Sequence, residues 1–465
     1  MKTPAPGEPK RHEAVRLRHT IRLWSELRAA RRLPPLDRWL ADRLKTIPGA
    51  GKRDRSWYSE RFFGVVRYGE RIRLLIAARQ LLRSSRVRDA AHAIEQISAN
   101  WGQDNATQLS GQAAFGQLAR NPMEELIGWA DLCLSEGDPW KITVPLSDAE
   151  RNQIHRLYSA AASAIPGLDA LHPASLSWYG LGPQWAPALH ARIQASRWNP
   201  KQLRQWLQVQ VQRAPLWARV QQPEDLERVV EELEAMDFAV VVDGLSLRIE
   251  GVKSLYNSAP YSEGRIQIQD RASQAMAETA EVQPGESVWD CCAGEGGKTM
   301  ALAAHAGGRG YVLATDSHRG RMSVLEQRVQ RSHVRYVHTR LHDATTPLTL
   351  PREVAAGHGF DVVFVDAPCS SSGTWRRNPD ARYRIDPQTV ADFPPLQRTI
   401  LARASQAVRP GGRLVYGTCS WFTQENEDVV RDFLALHPDF RLRVQRMLAP
   451  PQYDSDSMFV AVLQR

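Results

Sequence analysis

FDVVFVDAPCSSSG (Phe360–Gly373) is an apolar run that closes on an acid, a proline and a cysteine, and GGRLVYGTCS (Gly411–Ser420) repeats that design fifty residues later. Phe360–Val365 and Leu414–Tyr416 lack polar alternation, as expected for strands of a parallel sheet covered on both faces. Such sheets bind ligands beyond the carboxyl ends of their strands. Cys369 and Cys419 are therefore expected to face one cleft. Upstream, WDCCAGEGGKT (Trp289–Thr299) reads as strand, glycine turn and helix, a unit that presents backbone N–H groups to a nucleotide-like ligand.

Working outward, strands and helices alternate from Gly264: Ser287–Asp290, a helix from Gly297, Gly310–Thr315, a helix from Arg319, Val334–Thr339, Phe360–Asp366, a helix Leu396–Val408, Gly412–Gly417 and a helix Glu425–His437. Repeated βα units imply an α/β fold with a doubly wound, Rossmann-like sheet. Two further β-like runs, Phe440–Arg446 and Ser457–Leu463, follow without an intervening helix. A terminal antiparallel hairpin of that kind is the arrangement of class I methyltransferases.

Before this domain, PEDLERVVEELEAM predicts a helix. It is flanked by a strand in Pro215–Val220 and by FAVVVDGLSLRIEG, two short strands joined at Asp243-Gly244. The first part of the chain carries apolar residues at helical spacing, with Pro34-Pro35 and Pro48-Gly49 as breaks and looser connections at Asn100–Gly116 and around Pro139. The expected organisation is a basic helical bundle over 1–165, a small α/β module over 170–262 and the sheet domain over 263–465.

The chain of 465 residues is 43% hydrophobic, enough for roughly three domains of about 150 residues each. No apolar run approaches the roughly 18–20 residues needed to span a bilayer, and a cytoplasmic monomer is expected. Five cysteines, two of them adjacent, give neither a disulfide framework nor paired zinc spacing, so reduced thiols and no metal are expected. Net charge is +9, and residues 1–80 hold 20 Lys plus Arg against 8 Asp plus Glu, or +12, leaving −3 elsewhere. In GAGKRDRSWYSERFFGVVRYGERIR (Gly49–Arg73) arginines interleave with aromatics, a pattern suited to RNA phosphates and equally to the solvated face of an amphipathic helix.

The glycine turn matches neither the phosphate-loop spacing, which needs glycine at position 292 where the chain has cysteine, nor the dinucleotide GxGxxG, since position 299 is threonine. Asp316, ending the second strand, stands where an acid accepts hydrogen bonds from ribose hydroxyls, and Asp343, after the next, is placed for an adenine amino group. Each alone reads as well as a helix cap; together they fit an adenosine cofactor. Cys133, on a helical pattern, reads as a small buried hydrophobe. Cys369 and Cys419 instead sit at strand ends where Lys298, Arg376 and Arg377 can lower a thiol pKa, with Asp366 three residues before Cys369. Alkylation of cytosine carbon 5 uses this whole set. A thiolate adds to C6, C5 becomes nucleophilic, and a second thiol assists release, while Asp366, neutral or sharing a proton, binds the N3/N4 edge.

At these residues the chain resembles the RsmB/Nop/Sun family of RNA 5-methylcytosine methyltransferases. The resemblance rests on QIQDRASQ (Gln267–Gln274), DCCAGEGGKT (Asp290–Thr299), DAPCSSSGTWRRNPD (Asp366–Asp380) and RPGGRLVYGTCSWFTQENE (Arg409–Glu427). RAPLWARV (Arg213–Val220) is similar to the family's RNA-recognition module, and the N-terminus resembles a NusB-like extension. The resemblance implies that Cys292, Ala293, Gly294, Glu295, Gly296, Gly297, Lys298, Asp316, Asp343 and Asp366 contact S-adenosylmethionine. It further implies that Cys419 attacks and Cys369 aids release, an order that spacing alone leaves open. RNA, above all ribosomal RNA and next transfer RNA, is the implied partner; the alternative is a catalytically silent RNA-binding or ribosome-assembly protein. Departures are Gly294-Glu295 in place of Ala-Pro, the long PCSSSGT loop, and the tail DSDSMFVAVL.

Overall fold

The computed structural model describes residues 11–84, 87–103, 109, 111–138, 141–251 and 254–465. Parts of the loops expected at Asn100–Gly116 and around Pro139 lie outside them. The chain divides into two compact units, one holding residues 1–193, 198–212 and 375–389 and the other 194–197, 213–374 and 390–465.

Seven strands of the second unit form one sheet: β5 (Ser287–Asp290), β6 (Tyr311–Asp316), β7 (Val337–Leu341), β8 (Phe360–Asp366), β9 (Val408–Thr418), β10 (Arg441–Leu448) and β11 (Met458–Gln464). Their order is β10-β11-β9-β8-β5-β6-β7, with β5 to β9 parallel and β11 antiparallel to both β9 and β10. This is the expected doubly wound sheet with its terminal hairpin. Val362, Val363, Phe364, Val365, Leu414, Val415 and Tyr416 are fully buried, because helices cover both faces of these strands. The order reverses at β5 and β8, so the crevice beyond their carboxyl ends is the topological switch point.

Four antiparallel strands form a second sheet in the order β2-β3-β1-β4: β1 (Leu216–Val220), β2 (Ala239–Asp243), β3 (Ser246–Glu250) and β4 (Ile266–Ile268). Its core joins Val229 and Leu233 of the helix Leu226–Glu234 to Leu247, Ile249 and Ile266. Because β4 completes this sheet, the small module runs past residue 262. It starts later than residue 170, since residues 170–193 and 198–212 cluster with the helical unit. The short helices Pro173–Trp178 and Pro200–Val209 bury Trp178 and Trp206 there. Short Pro- and Trp-bearing helices carry little periodicity, and long-range packing decides their allegiance.

The helical unit is built on helices such as Arg11–Ala29, Lys52–Arg67, Gly69–Arg83 and Met123–Leu134, with Trp24 against Phe62 and Phe115. Its arginines are partly internal. Arg67, Arg71, Arg73 and Arg79 are buried. Arg71 donates to the Trp178 carbonyl at 2.7 Å and lies 4.2 Å over that indole, while Arg73 pairs with buried Glu70 at 2.6 Å. Within the Gly49–Arg73 run, the exposed cations are Lys52, Arg53 and Arg55. Residues 375–389 also belong here: Arg382 donates to the carbonyls of Gly180, Gln210 and Trp375, and the Asp380 carboxylate accepts from Leu36 N at 3.2 Å. Among the described residues no helix is long and apolar enough to cross a membrane.

Candidate active site

The parallel pairing of β8 with β9 sets Asp366 opposite Gly417, so the loops that leave these strands start side by side. Ala367 N donates to Gly417 O and Gly373 N to Cys419 O, both at 2.9 Å. These bonds bring Cys369 Sγ and Cys419 Sγ to 3.3 Å. Ser371, in a left-handed conformation at φ 57°, turns its hydroxyl to 3.5 Å from Cys419 Sγ. A non-glycine residue held there marks a loop shaped by its surroundings.

Glu425 is the residue that shapes it, and sequence reasoning missed it. Its buried carboxylate accepts from Ser370 N at 2.8 Å, from the hydroxyls of Ser370 and Ser420, and from Gln397 Nε2 at 3.0 Å. Both cysteine loops are thus tied to one group. Burial pushes its pKa up, against the pull of those donors. Asn426 adds a second tie, accepting from Thr418 Oγ1 and donating to Ser420 O at 2.6 and 2.9 Å. Two of the three sequence departures meet as well. Ser457 N donates to Gly373 O at 2.9 Å, and a Cβ on Gly373 would collide with Ser457 O. The PCSSSGT loop and the DSDSMFVAVL tail brace each other.

Lys298 reaches across from the glycine turn to pair with Asp366 at 2.7 Å. Burial opposes the ammonium charge, but Asp366, Cys419 and Asp290 outweigh it and raise the pKa of Lys298. Asp366, expected to be neutral or to share a proton, is here the partner of the Lys298 ammonium. The two thiols differ in consequence. Cys419 is held below its ordinary range, first by the hydrogen bond from Cys369 and further by Ser371 and Lys298, against burial and Asp366. Cys369 is pushed up by that same bond, by burial, and by the charges of Cys419 and Glu425. Arg376 and Arg377, offered by sequence as sources of the field, fall in the helical unit. Cys133 is buried, and desolvation lifts its thiol to about 11, as an inert core cysteine requires.

The glycine turn folds as its residues demand. Gly294 and Gly296 have φ of 56° and 86°, and a Cβ on Gly296 would meet Leu325 Cγ at 2.7 Å. Asp316 locks the turn from the end of β6, accepting from Gly294 N at 3.0 Å and His318 N at 2.8 Å. Asp343 accepts from the backbone and hydroxyl of Thr345, which lower its pKa. Asp290 is buried under the turn with Thr299 Oγ1 at 2.7 Å, and burial lifts it to about 7.

A cavity of about 510 Å³ opens beyond these strand ends, and Cys292, Gly294, Asp316, Asp343, Asp366, Cys369 and Cys419 all contribute to its wall. Sequence named all seven. Ala293, Glu295, Gly296, Gly297 and Lys298 stand outside that wall: Ala293 is buried, Glu295 is exposed, Gly296 packs on Leu325, and Lys298 pairs with Asp366. Arg321, His342 and Leu396 line it too. An acidic, half-open cavity beside a thiol pair of which one member is depressed suits a ligand with hydroxyls and positive charge. Among the described residues no cluster of three or more His, Cys, Asp or Glu is gathered to hold a metal.

A family model described as 16S rRNA methyltransferase RsmB/F matches residues 277–464. The chain is similar to the probable ribosomal RNA small subunit methyltransferase B of Synechocystis, 36% identical over 196 residues, covering 42% of this chain and 43% of that protein. It is similar also to the ribosomal RNA small subunit methyltransferase B of Proteus mirabilis, 30% identical over 261 residues, 55% of this chain and 60% of that one. These matches span about half the length of the curated relatives. Among solved structures, a methyltransferase homolog from Pyrococcus horikoshii shares the fold at TM-score 0.52 and 21% identity, over 62% of this chain and 96% of that one.

Proposed function

From a chain whose residues 277–464 belong to the RsmB/F methyltransferase family, we propose an S-adenosylmethionine-dependent RNA methyltransferase that modifies cytosine C5, with ribosomal RNA as substrate. The observation that carries this reading is the 3.3 Å pair of strand-end thiols beside an acidic cavity, one thiol depressed and the other raised.

The donor set fits the cofactor. Asp316 and Asp343 offer acceptors at successive strand ends, the open backbone at Gly294 has no atom within 4 Å of a Cβ position, and Asp366 faces the same cavity. When bound, S-adenosylmethionine supplies an electrophilic methyl group on a sulfonium. Cys419, as thiolate, bonds to cytosine C6, and the C5–C6 π pair becomes available at C5. Lys298 and Ser371 stabilise the thiolate before attack. Once the C5 proton has gone to a base, the S–C6 pair returns to Cys419, and Cys369, which keeps the pair's proton, donates to the departing sulfur. Asp366, oriented by Lys298, accepts from the exocyclic amine and fixes the ring.

A catalytically silent RNA-binding protein would be favoured by a charge that disturbs the cofactor turn, and Glu295 is the acid that departs from the family pattern there. Exposed and outside the cavity wall, that carboxylate gives it no support. The test is incubation with methyl-labelled S-adenosylmethionine and unmodified small-subunit ribosomal RNA, followed by nucleoside analysis. Label in 5-methylcytidine is expected; calorimetric binding of cofactor with no label in cytidine overturns the C5 assignment.

A further inference from the structure

Beyond the cavity, the helix Arg319–Arg331 carries four arginines and one glutamate. Arg321 lines the cavity, and Arg328 lies two turns further along the same face, about 10 Å away at the helical rise. Asp316, at 3.8 Å, is the carboxylate nearest Arg321, whose side chain is 58% exposed. Arg328 forms no ion pair among the described residues. Burial and Arg331 both work against its charge, and Glu295 is the one carboxylate that supports it. Its Nη1 comes within 3.8 Å of the position a Cβ would take on Gly297.

The same patch carries aromatic rings. Arg331 lies 4.5 Å over Tyr261, and its buried Nε has no partner among the described residues. Tyr261 meets Tyr256 edge to face at 4.9 Å, and Tyr256 is 62% exposed. A tyrosine so exposed, propped by a second ring and flanked by under-compensated guanidinium groups, has the composition of a platform for unpaired bases on a phosphate backbone. An acidic protein segment would satisfy the arginines and leave the Tyr256 face unused.

We propose that the surface from Arg321 through Arg328 to the Tyr256–Tyr261 pair binds the single-stranded RNA that flanks the target nucleotide, with Arg328 on a phosphate and Tyr256 stacked on a base. This rests on the reading of the cavity as an RNA-modifying site. It places an RNA contact within the sheet-bearing unit, separate from the basic helical segment.

The test uses the full chain, an unstructured cytosine-containing oligoribonucleotide with a fluorescent label, and the variants Arg328→Gln and Tyr256→Ala. Tyr256→Ala is expected to weaken binding about tenfold without changing the salt slope. Arg328→Gln is expected to weaken binding severalfold and to lower the slope of log K against log salt by about 0.7. Cofactor binding by calorimetry and the melting midpoint should match wild type for both. Variants that bind as wild type does, while wild type binds and methylates RNA, overturn this surface alone. Wild type that neither binds nor methylates RNA overturns the reading beneath it.

Discussion

Two arginine-rich stretches of this chain look alike as sequence and are used in opposite ways. In Gly49–Arg73 the guanidinium groups of Arg67, Arg71 and Arg73 turn inward, a carboxylate replacing water at Arg73 and a carbonyl and an indole replacing it at Arg71. On the helix Arg319–Arg331, Arg321 is exposed and Arg328 half-buried, both with little carboxylate compensation. A tally of basic residues therefore measures neither surface charge nor contact with an anion. What separates the two stretches is whether each charge finds a partner inside the fold, since an inward arginine left unpaired costs several kcal/mol.

The sharpest way to break this comparison is Arg73→Gln. Glu70 and Arg73 each keep only 2% of their side chain exposed, so removing one leaves the other charged and dry. Stability should fall by about 3–5 kcal/mol in urea unfolding; a loss below about 1 kcal/mol would place that pair in water. Glu425→Ala makes the corresponding test in the thiol cleft. It strands the donors of Ser370, Ser420 and Gln397, with an expected loss of about 3 kcal/mol and, in addition, a fall in methylation per folded molecule. Stability loss with full specific activity would show that the clamp does not set the thiol geometry.

Smaller effects sharpen it. On the proposed mechanism Cys419 reacts as its thiolate, whose fraction rises with pH, and Lys298 helps to depress its pKa. In Lys298→Met the pKa rises, so the ascending limb of the pH–rate profile should move to higher pH, with activity lost near neutrality and recovered at high pH. An unmoved limb contradicts the role given to Lys298. Changing the exposed Lys52, Arg53 and Arg55 together to Gln should leave stability within about 0.5 kcal/mol. If that segment touches RNA, the salt slope drops by about 2; an unchanged slope removes it from the contact surface.

The sheet domain was legible because its signals are local. Apolar runs such as Phe360–Val365 allow one reading, and β8 spans Phe360–Asp366 as expected. Once β8 and β9 are parallel neighbours, the convergence of Cys369 and Cys419 follows from where each cysteine stands after its strand. Glu425 was hidden for the opposite reason: its role exists only when Ser370, Ser420 and Gln397, from three separate segments, arrive at one carboxylate. The available hint was a glutamate six residues past a strand-end cysteine, beside Asn426 in the quoted ENE. The allegiance of residues 375–389 to the helical unit was invisible because DAPCSSSGTWRRNPD reads as one motif, whereas Arg382 finds its carbonyl acceptors at Gly180 and Gln210.

The central claim is that one sulfur of the pair attacks and the other lets go. Incubating Cys369→Ala and Cys419→Ala proteins with substrate RNA and S-adenosylmethionine, then resolving them under denaturing conditions, tests it directly. The account predicts a protein–RNA adduct that survives denaturation for Cys369→Ala, and neither adduct nor methylation for Cys419→Ala. Methylation retained by Cys419→Ala, with no adduct from Cys369→Ala, would contradict it.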